Sequence, residues 1–147
     1  MTKIETMLRS HPRSEGQHSK DYADAIAALA ACVETCTICA DACLGELGHI
    51  ETFRHCITAS LDCADVCGAT MSVVLRRTAS PDDLVHAQLH ACVLACQRCA
   101  EECAEHAGMH QHCRICAETC RSCQERCNFL LGEITSSGIA EEESDLS

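Results

Sequence analysis

The sequence predicts an all-α protein, an antiparallel up-down-up-down four-helix bundle with a short N-terminal helix in front of it. Three observations carry this. First, sixteen cysteines in 147 residues fall mostly three or four positions apart, in the runs Cys32, Cys36, Cys39, Cys43; Cys56, Cys63, Cys67; Cys92, Cys96, Cys99, Cys103; and Cys113, Cys116, Cys120, Cys123, Cys127. At about 100° of turn per residue, each run keeps its sulfurs on one helix face. Second, the chain repeats itself at an offset of 60: the run from Cys32 to Cys43 maps without a gap onto that from Cys92 to Cys103, and Cys56, Cys63 and Cys67 map onto Cys116, Cys123 and Cys127. Third, strand alternation is nowhere sustained. Each half of the repeat reads as a helical hairpin, and two hairpins close a bundle.

The elements follow from breakers and caps. A short helix opens the chain, and residues 10–19, with Pro12 and Gly16, read as a loop. The first bundle helix is expected from about Ser19 to Leu47, ending near Gly48, and the second from about His49 to Arg77. Ser80-Pro81-Asp82-Asp83 is a helix start: a capping hydroxyl, proline at the first position, and acids in the first turn. The third helix then reaches about His106, Gly108 breaks it, and the fourth runs from about His110 to Leu131. Glu34, Asp41, Asp62, Asp65, Glu101, Glu118 and Glu125 fall roughly opposite the sulfur stripes, as outward positions should. One domain over 1–147 is expected, with an N-terminal arm over 1–18, the bundle over about 19–131, and a flexible acidic tail over 136–147.

Composition narrows the function. The formal net charge of −11 disfavours nucleic acid, because no basic stripe exists to neutralise phosphates. The first residues have no apolar core of a signal peptide, and no stretch reads as long enough to cross a membrane. A cytoplasmic location is expected, where thiols stay reduced and clustered cysteines more often bind metal than form disulfides. A lone cysteine on an apolar face is ordinary packing. Sixteen in phase are not, since packing alone would use leucine or valine.

The two ends of the bundle differ. Towards the connection between the second and third helices, the stripes continue into Ala25, Leu29, Met71, Val74, Val85, Leu89, Leu130 and Ile134, an apolar plug. His86 and His90 fall at that end, in surface or subunit-contact positions. The opposite end carries His49 and His55 by one turn, and His106, His110 and His112 with Met109 by the other. His106 lies three residues after Cys103, and Met109 four before Cys113, so both extend stripes. Imidazole and thioether are suitable ligands for monovalent copper. His106, His110 and Met109 are therefore the candidate portal; the competing reading is that turn-adjacent histidines are simply exposed polar groups.

Ligand softness limits the metal to monovalent copper, zinc or iron–sulfur clusters. Zinc prefers closed tetrahedra, and four such four-thiolate sites would bury about eight net negative charges, a cost of several kcal/mol per ion. One Cu(I) per bridging thiolate leaves the core neutral, which implies a load of roughly a dozen to twenty ions, on the order of one per cysteine. The loop-borne cysteine runs typical of iron–sulfur proteins are not present. Two other functions compete: a zinc or general soft-metal buffer, and a thiol oxidoreductase built on a pair such as Cys36 and Cys39. The latter needs one privileged low-pKa cysteine among sixteen similar ones.

The segments Cys39-Ala40-Asp41-Ala42-Cys43-Leu44-Gly45-Glu46, Arg54-His55-Cys56, Leu61-Asp62-Cys63-Ala64-Asp65-Val66-Cys67, and the stretch Cys103 to Cys127 resemble the cytosolic branch of the bacterial copper-storage proteins, over about residues 20–131. The resemblance implies a four-helix bundle with inward cysteines holding many Cu(I) ions, homotetrameric association, and histidines at an open end. It makes all sixteen cysteines candidate ligands, with His106 and His110 as portal histidines, and implies exchange with a copper chaperone or chelator. Two positions break the internal repeat. Ser60 stands where the second half has Cys120, so ion positions near it are expected to differ from the rest, and Phe53 stands where it has Cys113, leaving Cys113 without a repeat partner.

Overall fold

The structure is a computed structural model that describes the backbone of residues 1–13, 18–76, 78 and 82–145, and side chains as far as residue 134. Five helices follow in order: α1 (Lys3–Ser10), α2 (Ser19–Leu44), α3 (Ile50–Leu75), α4 (Asp82–Ala104) and α5 (Gln111–Asp145). Helix α2 packs on α3 and α5, and α4 packs on α3 and α5, while α1 lies against α2. That is the neighbour pattern of an up-down-up-down bundle.

The boundaries differ from the sequence reading in two places. Helix α2 stops at Leu44 rather than Leu47, because Gly45 is a poor helix former and takes the cap position. Its N–H bonds the carbonyls of Asp41 and Ala42, each at 3.1 Å. Gly48 then sits at φ 84°, a left-handed conformation that glycine adopts without the Cβ penalty. Residues 45–49 thus form a tight turn that lifts Glu46 out of the helix. At the other extreme, α5 runs on past Leu131 to Asp145; no proline interrupts it, and alanine and glutamate are good helix formers. The proposed cap Ser80 and first-turn Pro81 lie outside the described residues, as do residues 14–17 of the loop expected over 10–19. The acids Asp82 and Asp83 do fill the first turn of α4.

All seven acids expected to face outward are exposed. By length and mean hydropathy (1.6 and 1.3), α2 and α3 are nonetheless apolar enough to span a bilayer, against the expectation that no stretch would be. Alanine and cysteine raise the average. The inward stripe is buried against other helices, and Glu34, Asp41, Asp62 and Asp65 on the outer faces would be costly in hydrocarbon.

The plug forms as the stripes foretell. Ala25, Leu29, Leu89 and Leu130 are fully buried, and Val74 and Val85 nearly so. Thr70 is buried beside them, donating to the Val66 carbonyl at 2.7 Å and accepting from Gln88 Nε2 at 2.9 Å. Its hydroxyl is thereby satisfied without water.

A candidate metal core and its mouth

Every one of the sixteen cysteines is free and buried. The helical period places sulfurs on the inner faces, and the bundle brings facing stripes into register. Within α2, Cys32 and Cys36 sulfurs lie 3.7 Å apart. Across the core, Cys32 meets Cys63 of α3 at 3.6 Å and Cys120 of α5 at 3.7 Å. Cys36 reaches Cys120 at 3.5 Å, Cys99 of α4 at 3.7 Å and Cys116 at 3.8 Å. Cys67 lies 3.6 Å from both Cys92 and Cys96, and Cys56 pairs with Cys103 at 3.3 Å.

Among the described residues, groups of four sulfurs lie close enough for each to surround one ion, among them Cys67, Cys92, Cys96, Cys123; Cys32, Cys63, Cys67, Cys96; Cys32, Cys36, Cys63, Cys120; and Cys36, Cys99, Cys116, Cys120. Each shares two sulfurs with the next. They form an edge-sharing chain along the bundle axis rather than separate sites. Ser60, the interruption in the α3 row, is fully buried and puts its hydroxyl 3.5 Å from Cys99 and 3.7 Å from Cys103. The lattice therefore continues past it with oxygen in place of sulfur.

Towards the turns the chemistry changes. Phe53, the other departure from the repeat, is buried at the mouth against the rings of His106 (4.7 Å) and His110 (4.9 Å). A cleft of about 300 Å³ opens there, lined by Glu46, His49, Phe53, His106, Met109 and His110 among others. The three portal residues read from sequence thus share one cleft. Met109 is 89% exposed and stands at its rim. His55 lies elsewhere, in a surface groove with Asp62, Arg98 and Glu101.

His112 is the residue that sequence reasoning undervalued. Its Nδ1 lies 3.5 Å from both Cys39 and Cys113 sulfurs, and these three with Cys43 make a mixed nitrogen–sulfur group. The signal was present: His112 precedes Cys116 by four residues, so it extends the α5 stripe. Glu46 was missed as well, although it follows Cys43 by three residues and occupies the repeat position of His106. Its Oε1 accepts from His112 Nε2 at 3.3 Å and lies 3.2 Å from His110 Nδ1. Hydrogen bonding from His112, aided by His110, holds the Glu46 carboxyl below its usual range.

The outermost thiols are shifted the other way. Burial and repulsion from neighbouring thiolates push Cys43 up, and burial followed by Cys56 pushes Cys113 up to about 11. Above the ordinary thiol value near 9, unfolded chains ionise at these positions while the fold keeps its protons. Stability from this source is complete below that value and is lost as pH rises towards 11. The metal-free, reduced protein should accordingly melt progressively lower between pH 9 and 11, as followed by anaerobic circular dichroism; a midpoint that holds or rises over that range would contradict it.

The copper storage protein family profile matches residues 18–132. Among solved structures, the copper storage protein Ccsp from Streptomyces lividans, loaded with 10 copper equivalents, is 42% identical with a TM-score of 0.84, covering 88% of this chain and 98% of that one. A second structure, a cytosolic copper storage protein from Streptomyces lividans with five coppers, is 45% identical over 77% of this chain and 93% of its own, with a TM-score of 0.75. No curated protein matches the chain. A profile match across the whole bundle, joined to that identity along nearly the full length of a solved relative, makes this chain a member of the copper storage protein family.

Proposed function

We propose that this protein stores many Cu(I) ions in the cytoplasm, limiting copper toxicity and holding a supply that a chaperone or chelator can draw on. The sixteen cysteines serve as thiolate ligands, while His106, His110 and Met109 capture ions at the open end. The edge-sharing chain of sulfurs is the observation that carries this reading. In edge-sharing tetrahedra, ions in neighbouring groups sit closer to each other than the sulfurs do. Divalent ions at that spacing repel about four times as strongly as monovalent ones. Bridging thiolates with one Cu(I) each cancel the charge of a core in which, among the described residues, no lysine or arginine is buried to offset it.

Ions enter by ligand exchange, and each thiol gives up its proton as metal arrives. No catalytic step is required by this role. Association as a homotetramer, as in the family resemblance, is consistent with apolar residues on the outer faces such as Ile38, Leu61 and Leu94, which are 65%, 46% and 50% exposed.

The test is anaerobic titration of the reduced protein with Cu(I) against a coloured chelator. Saturation is expected near one ion per cysteine, so roughly a dozen to twenty, with about one proton released per thiol engaged. Saturation at four or fewer, or zinc prevailing at matched free-metal levels, would refute copper storage in favour of a soft-metal buffer.

A further inference from the structure

Glu46 stands at the mouth with one carboxylate oxygen shared between two histidines. A carboxylate only accepts hydrogen bonds, so the His112 nitrogen bonded to it must carry a proton. The two rings present different nitrogens: His110 presents Nδ1 at 3.2 Å and His112 presents Nε2 at 3.3 Å. In neutral imidazole, protonation of one nitrogen leaves the lone pair on the other. For His112 that other nitrogen is Nδ1, which faces the Cys39 and Cys113 sulfurs at 3.5 Å each. The His110 ring, close to the same carboxylate oxygen, lines the open cleft.

The turn makes this arrangement possible. Because α2 ends at Leu44, Glu46 hangs from the tight turn and reaches across to the start of α5.

We propose that Glu46 is a positioning residue that fixes the Nε2-protonated tautomer of His112, and so aims its Nδ1 lone pair, beside the Cys39 and Cys113 sulfurs, at an ion passing from the cleft to the all-sulfur core. This rests on the reading that copper is stored in that core. Carboxylates that orient a ligating histidine through its second nitrogen tune metal binding by about 10–100-fold when removed. The site holds an arriving ion by one imidazole and two thiols, then hands it inward: Cys39 and Cys43 lie on the α2 stripe that leads to Cys36.

The experiment compares wild type, Glu46→Ala and Glu46→Gln at pH 8. Glutamine keeps an oxygen that can accept the His112 hydrogen bond but removes the charge. Nitrogen-15 NMR of the metal-free protein should show His112 protonated at Nε2 in wild type and Glu46→Gln, with mixed tautomers in Glu46→Ala. Stopped-flow transfer of the first Cu(I) from a chelator should slow by about tenfold or more in Glu46→Ala and stay within a few-fold in Glu46→Gln. Total capacity should be the same in all three. Wild-type tautomers in Glu46→Ala would overturn the proposal. Equal slowing in Glu46→Gln with intact tautomers would do so too, because attraction by charge would then be the role. Failure of storage itself would appear separately, as low capacity in wild type with the tautomer result unchanged.

Discussion

Loading with Cu(I) should remove the thermal unfolding transition from the accessible range. The metal-free core is made of small side chains, and folded domains are ordinarily stable by only about 5–15 kcal/mol. A ligand that binds the folded state alone adds about 2.7 kcal/mol per site at one hundred times its dissociation constant. A dozen such sites would add on the order of 30 kcal/mol, several times the stability of the empty protein. Bridging thiolates also tie all four helices together, since single sulfur groups such as Cys36, Cys99, Cys116, Cys120 draw on three of them. Anaerobic calorimetry should therefore show the loaded protein without a transition below about 90 °C, the range of hyperstable proteins. A midpoint unmoved by metal would mean that ions sit outside the bundle.

The second large effect lies at the opposite end. Leu89 is fully buried in the plug beside Leu29, Val74 and Leu130. Leu89→Ala removes buried methyl groups and leaves a cavity, which costs roughly 2–5 kcal/mol. For a chain of this size that lowers the metal-free midpoint by about 5–15 °C. Copper capacity should not change, because no sulfur has moved. Leu89→Met, which nearly conserves volume, should recover most of the loss. A variant that lost ions in proportion to stability would show the plug to be part of the metal site. The two effects divide the bundle into a half stabilised by packing and a half stabilised by cargo.

What was legible in the sequence follows from a single period. Side chains three and four apart share a face in any helix, so the stripes, the plug and the outward acids could be placed before any coordinates. The 60-residue repeat paired the hairpins, and the exceptions to it marked real differences. Phe53 became the buried ring under the portal histidines, and Ser60 became an oxygen set into the sulfur lattice.

Contacts between helices were not legible, because they depend on the rotation and axial stagger of each helix, which packing decides. No periodicity says that Cys56 meets Cys103 at 3.3 Å, or that four sulfur quartets share edges in a line. The mouth depended on the backbone alone. An early stop at Gly45 and a left-handed Gly48 placed Glu46 between two histidines. His112, adjacent to Cys113 in the chain, could be read as surface or as ligand until the bundle turned its Nδ1 onto two sulfurs. Sulfur on the inside was written in the spacing of the cysteines; which sulfurs and nitrogens meet was settled by how the helices lie against each other.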